Sequence, residues 1–324
     1  MRDVLKATGP CTAVLTRRRF LQMTGACAAL AAASRLIPRS ALAKGVPVST
    51  PDRMSLLTDM TMCIGCRACE VACNRVNGLP APDRPFSETS VFEERRRPTA
   101  RAYTVVNRFA GQNGGSPVYR KMQCMHCSEP ACVSVCPAAA MVKTPEGPVL
   151  WDEKVCIGCR YCMLACPFSM PAYEYDNAFG PRVVKCNMCY ERVFKKGGLP
   201  ACAESCPVKA TIFGKRDDLL QLAHKRITDS PARYANLIYG ENEVGGTSWL
   251  YLSPAPFDSL DFPEVQKAGY GELTWDFLTA VPVVLILWPL LLTGAYRLAH
   301  RQVAGREGGP GKAGLRREGG HDEH

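Results

Sequence analysis

Sixteen cysteines in four groups of four constrain this chain more than any other feature. They fall between Cys63 and Cys206, and only Cys11 and Cys27 lie outside them. The run from Cys156 to Pro167 reads C-I-G-C-R-Y-C-M-L-A-C-P: three cysteines at two-residue gaps, a fourth after three more residues, then proline. Thiolate sulfur is the soft ligand that iron–sulfur clusters demand, and turns of this spacing let three sulfurs converge on one cube. The fourth cysteine points away and serves the other cluster of a pair. Such a run is incomplete alone, so it predicts a partner run.

The chain holds three more. Cys63, Cys66, Cys69 and Cys73 repeat the spacing but are followed by Asn74 rather than proline. Cys124, Cys127, Cys132 and Cys136 stretch the middle gap to four residues and end at Pro137. Cys186, Cys189, Cys202 and Cys206 open it to twelve residues and end at Pro207. Zinc is the competing ligand-set reading, because C-x2-C pairs also build zinc ribbons. The fourth group alone has such a form; the other three are poor zinc motifs. His126, inside C-M-H-C, reads as a supporting or surface histidine, since every ligand place already holds cysteine. Trp151, Tyr161 and Tyr173 read as packing rather than redox relays.

The formal charge of +10 does not mark a nucleic-acid-binding face. Residues 1–43 carry seven of the basic residues and one acid, and the segment from Arg297 onward carries six and four. The middle is therefore about +2, and sixteen thiolates on four doubly charged cubane cores would add about eight negative charges. The basic balance reads as targeting, membrane topology and cluster compensation.

Residues 1–43 resemble a twin-arginine export signal: Thr16-Arg17-Arg18-Arg19-Phe20-Leu21-Gln22, an Ala-rich stretch, then Ala41-Leu42-Ala43 as a cleavage site. That route carries proteins already folded, which suits thiols that would otherwise pair as disulfides in an oxidising periplasm. Residues 102–110 have strand composition, and 141–143 with 149–151 read as a β-hairpin. Residues 211–213 read as a closing strand and 217–227 as an amphipathic helix. Residues 231–273 form an irregular extension. Phe277–Tyr296 is a charge-free stretch of 20 residues, about 30 Å as a helix, flanked by Trp275 and by Arg297 and Arg301. It predicts a transmembrane helix over 274–299 with a cytoplasmic, disordered tail at 300–324.

The group order, with Q-C-M-H-C-S-E-P-A-C-V-S-V-C-P at 123–137, C-I-G-C-R-Y-C-M-L-A-C-P-F at 156–168 and G-G-L-P-A-C-A-E-S-C-P at 197–207, resembles the ferredoxin subunits of the DMSO-reductase type. Within them it is most similar to the ferredoxin-like subunit of hydrogenase-2-type nickel–iron hydrogenases, and also similar to the formate dehydrogenase β subunit. The resemblance implies an α+β fold of two nested bacterial-ferredoxin-like modules in residues 44–230, beside the C-terminal transmembrane helix. It implies four [4Fe–4S] clusters: Cys63, Cys66, Cys69 and Cys206; Cys73, Cys186, Cys189 and Cys202; Cys124, Cys127, Cys132 and Cys166; Cys136, Cys156, Cys159 and Cys162.

The expected function is an electron wire without a catalytic site of its own. It would link a periplasmic catalytic subunit, a nickel–iron uptake hydrogenase, to a quinone-reactive membrane subunit. The alternatives are service to formate dehydrogenase or another molybdenum oxidoreductase, and a zinc-stapled, membrane-anchored scaffold. No nucleic-acid partner is expected. The expected location is the periplasmic side of the inner membrane.

Overall fold

The computed structural model describes residues 53–177, 182–270, 280–281 and 284–297. The described residues from 53 to 270 fall in one compact unit, and the C-terminal helical residues belong to another.

The first unit is organised on β1 (Met54–Asp59), which lies between β8 (Thr211–Lys215) and β9 (Trp249–Leu252). It pairs antiparallel with β8, Leu56 opposite Phe213, and parallel with β9, Leu56 opposite Trp249. Successive side chains of a strand point to opposite faces. Leu57 accordingly packs with Leu250 and Leu252 on one face, where helix α5 (Arg216–Asp229) covers them with Leu219, Ala223 and Ile227. That four-residue spacing puts the three on one helical stripe. Leu56, Trp249 and Tyr251 face the other way, into a core shared with Met60, Cys124 and Cys202. Leu56 and Leu57 are fully buried, each contributing about 1.5–3 kcal/mol. The sheet thus separates a plain helix layer from the cysteine-rich one.

Three short antiparallel pairs surround the cysteines: β2 (Val105–Phe109) with β3 (Val118–Met122), β4 (Met141–Lys143) with β5 (Val149–Trp151), and β6 (Ala172–Tyr173) with β7 (Val183–Val184). Before, between and after them in the chain lie the short helices α1 (Ala68–Val76), α2 (Ala131–Ser134), α3 (Tyr161–Ala165) and α4 (Ala201–Glu204). Helix α1 packs against α4, and α2 against α3. The inner pair therefore sits nested, in chain order, inside the outer one.

Residues 231–270 differ from the irregular extension expected of them. They supply β9, and the chain leading into it holds the second cysteine group: Ser248 N–H donates to the carbonyls of Met125 and His126, and Ser128 N–H to that of Gly246. The strand escapes sequence reading because W-L-Y-L, buried on both faces, is a short apolar run without alternation.

Residues 280–281 and 284–297 are helical, with Leu285, Ile286 and Leu292 exposed. Among the described residues no helix is long and apolar enough to cross a membrane. The other positions of the expected 274–299 span, the signal at 1–43 and the tail from 300 lie outside the described residues.

Candidate metal centres

The first C-x2-C turn of each group contains a residue with positive φ just before its second cysteine: Gly65 (69°), His126 (49°), Gly158 (68°) and Met188 (55°). The left-handed residue curls the backbone so that neighbouring thiols face the same side. Glycine adopts it freely, whereas His126 and Met188 hold it at a cost of about 1–2 kcal/mol. At Gly65 a side chain is also excluded by space, since a Cβ would lie 2.3 Å from the Tyr119 ring. After the third turn residue, Arg67 (59°) and Arg160 (61°) repeat the left-handed step and start α1 and α3.

The fourth cysteine of three groups ends in a common turn. Ala139, Ser169 and Lys209 take φ near +50°, and the next N–H turns back onto sulfur. Ala140 donates to Cys136 Sγ at 3.2 Å, Met170 to Cys166 Sγ at 3.4 Å, and Ala210 to Cys206 Sγ at 3.2 Å. Proline directly after the cysteine stops the helix and lets this turn form. The first group has Asn74 there, and α1 runs on to Val76.

All sixteen described cysteines are free of disulfides. Burial pushes most of the thiols up, and the negative charge of neighbouring sulfurs pushes further in the same direction. For Cys73 those neighbours are Cys186, Cys202 and Cys189; for Cys127 they are Cys166, Cys124 and Cys132. For Cys162, pushed up to about 11, they are Cys136, Cys156 and Cys159; for Cys63 they are Cys206 and Cys66. The structure thus brings the first group beside the fourth and the second beside the third. Cys73, Cys186, Cys189 and Cys202 also line one cavity together with Asn77, Lys121 and Trp249.

Four thiols lining one cavity are a donor set that fits an iron–sulfur cube. Sulfurs around one zinc sit about 3.8 Å apart, from a bond length of about 2.3 Å, and a cube with iron at alternate corners spreads its ligands wider. Among the described residues no three His, Cys, Asp or Glu side chains are close enough to hold one metal ion. Buried thiols also need nearby cationic charge to stay deprotonated, which metal supplies.

His126 is fully buried, and its Nδ1 accepts the Val149 N–H at 3.0 Å. Burial, then Lys185, Lys143 and Lys121, hold it well below the usual histidine range, so it is neutral with its proton on Nε2. Trp151 and Tyr173 pack in the small core of Met141, Val149 and Val183, but Tyr161 is exposed.

Two features have no motif to announce them. Glu70, between two cysteines of the first group, is 5% exposed and accepts from Arg67 at 3.0 Å, Arg96 at 2.7 Å and the Val106 N–H at 2.7 Å. Lys121 and Lys185 are buried among the cysteine groups. The near-neutral middle of a chain carrying so many thiolates is the one hint of such internal cations.

Two family descriptions match the chain, each named "4Fe-4S dicluster domain", over residues 62–140 and 117–216. The chain is 35% identical over 288 residues to the hydrogenase-2 operon protein HybA of Escherichia coli O157:H7, covering 79% of this chain and 86% of that one. It belongs to the ferredoxin-type iron–sulfur subunits. A protein of Nitratidesulfovibrio vulgaris is 46% identical over 289 residues, covering 89% of this chain and 78% of its own length. The iron-sulfur subunit of nitrate-inducible formate dehydrogenase from Escherichia coli K12 is 37% identical over 202 residues, 60% of this chain and 66% of that one. The chain is an iron–sulfur electron-transfer subunit and not a catalyst by itself.

Proposed function

We propose that this subunit is a linear electron wire of four [4Fe–4S] clusters. The ligand sets are Cys63, Cys66, Cys69 and Cys206; Cys73, Cys186, Cys189 and Cys202; Cys124, Cys127, Cys132 and Cys166; and Cys136, Cys156, Cys159 and Cys162. Such clusters supply one-electron transfer over a wide range of potentials. The observation that carries the reading is how the sets adjoin. Cys69 of the first set feels the charge of Cys202 in the second, Cys186 of the second that of Cys124 in the third, and Cys132 of the third that of Cys162 in the fourth. The order is a line, with an exposed cysteine at each end, Cys66 and Cys159.

The residues ligate sulfur-bound iron, bury it and aim N–H groups at thiolates. Electrons would pass from a catalytic subunit to a membrane subunit that reduces quinone. A nickel–iron hydrogenase is favoured as the catalytic partner because the similarity to the hydrogenase-2 operon protein extends over 86% of that chain. Formate dehydrogenase is the alternative, supported by the shorter match to its iron–sulfur subunit. The charge-free stretch at 277–296 with Arg297 and Arg301 after it supports a C-terminal membrane anchor. With the twin-arginine motif it supports export in folded form to the periplasmic face.

The test is the complex purified through this subunit. Iron and acid-labile sulfide are each expected at about sixteen atoms per chain, with four sets of reduced-cluster EPR signals. Stoichiometric zinc in their place overturns the wire. The catalytic subunit that copurifies decides between hydrogenase and formate dehydrogenase.

A further inference from the structure

We infer that Lys121 is the buried counter-charge of the second cluster site, and that it raises the midpoint potential of the cluster held by Cys73, Cys186, Cys189 and Cys202. The inference rests on the four-cluster reading above. Lys121 stands on β3 and is 3% exposed. Its Nζ donates to Thr104 Oγ1 at 2.9 Å and Gln123 Oε1 at 2.8 Å, and lies 4.3 Å from the centre of the Trp249 ring. All three partners are neutral. Among the described residues no carboxylate pairs with this ammonium.

A buried charge without a counter-ion costs several kcal/mol, so a fold that keeps one has an anion beside it. The side chain lines the same cavity as the four cysteines of the second set, where four thiolates supply that anion. The other internal lysines are committed differently. Lys185 donates to the carbonyls of Val149 and Cys186, and Lys143 to those of His126 and Gly147. Only Lys121 of the three combines neutral side-chain partners with a place on the cavity wall.

The consequence follows from charge alone. Reduction of the cube from its 2+ to its 1+ core adds one electron and requires no proton from Lys121. A fixed ammonium stabilises the more negative product more than the oxidised form, and low-dielectric surroundings enlarge the difference. The second site would therefore be a high-potential step between its neighbours, one that gathers electrons before the crossing from Cys186 toward Cys124.

The test is an EPR-monitored redox titration of the full chain with its clusters assembled. Lys121→Met keeps most of the volume and removes the charge. One signal should move most, to more negative potential, by a tenfold or larger fall in its reduction equilibrium constant, 59 mV for one electron, with a smaller shift in the first set, whose Cys69 also feels Lys121. The signal that moves most should be the one also altered by Asn77→Ala, since Asn77 touches Cys73 of that set. Lys121→Arg, which retains the charge, should leave that midpoint near the wild-type value. If Lys121→Met loses that cluster's iron while Lys121→Arg keeps it, the counter-charge role is supported by assembly instead. Unmoved midpoints in Lys121→Met, or loss of the cluster in both variants, overturn the inference. Absence of iron–sulfur signals from the wild-type chain would instead overturn the wire itself.

Discussion

The side-chain Nδ2 of Asn77 lies 3.5 Å from Cys73 Sγ, where the other three groups place a backbone N–H on the corresponding sulfur. The same amide donates to the Cys73 carbonyl at 2.8 Å, which pins it at the end of α1. Without proline after Cys73 the helix continues, no left-handed turn forms, and a side chain has to serve the thiolate. Hydrogen bonds to cluster sulfurs raise the potential. Asn77→Ala should therefore lower one midpoint while leaving the iron content intact. A net hydrogen bond of about 0.5–1.5 kcal/mol corresponds to about 20–60 mV for one electron. Redox titration with EPR detection checks it, and an unchanged midpoint would show that the contact carries no energy.

Cys166 closes the third group in sequence but lies among the second group's sulfurs. Burial pushes its thiol up to about 11, the Met170 N–H opposes this, and the largest sulfur charge acting on it is that of Cys124. Cys166→Ser should then damage the cluster of Cys124, Cys127 and Cys132 and spare that of Cys156, Cys159 and Cys162. Iron content and EPR of the variant decide it: loss of the third group's own cluster alone would refute the crossover.

The turns at each C-x2-C, the β4–β5 hairpin and α5 are all legible in the sequence, because each depends on a local pattern. Cysteine spacing sets the turns, Thr144–Gly147 closes the hairpin, and Leu219, Ala223 and Ile227 keep helical period. What is not legible depends on distant partners. Lys121 sits in V-Y-R-K-M, which carries no motif, and Trp249 covers its ammonium from 128 residues away. Glu70 looks like an exposed helical acid until Arg96 and the Val106 N–H arrive from the linker. The proposed ligand sets cross between groups, and spacing alone counts cysteines without pairing them.

Glu70 is the tie between α1 and that linker. Its carboxylate receives two guanidinium groups and one backbone N–H, and Arg67 is buried with it. Removing one partner of a buried ion pair leaves an uncompensated charge, which costs about 3–5 kcal/mol. Glu70→Ala should destabilise the fold by about that much, whereas Glu70→Gln, which keeps the acceptor for Val106, should cost less. Denaturant-induced loss of the cluster absorbance checks both. Equal stability of Glu70→Ala and wild type would remove the tie from the account.

Removal of the metal should unravel the two modules unequally. The inner core consists of Met141, Val149 and Val183 with Cys132 and Cys162, so cysteines form much of its buried wall. The β8–β1–β9 sheet has a second, metal-independent layer in α5 with Leu57, Leu250 and Leu252. Chelation under reducing conditions should expose the amides of β4 and β5 to hydrogen exchange first, while those of β1 and α5 stay protected. Acid should act in the same direction. Burial, then neighbouring sulfurs, place Cys162 near 11, and burial, partly opposed by Lys121, places Cys186 near 12. Both therefore remain thiolates at neutral pH only while iron holds them. Protons compete with iron for each sulfur, so assembly is favoured as pH rises and iron release should accelerate as pH falls. Iron release followed from pH 8 down to pH 5, about the range over which such competition is measurable, is the check. A rate independent of pH would mean that the clusters leave by another route than protonation of their thiolates.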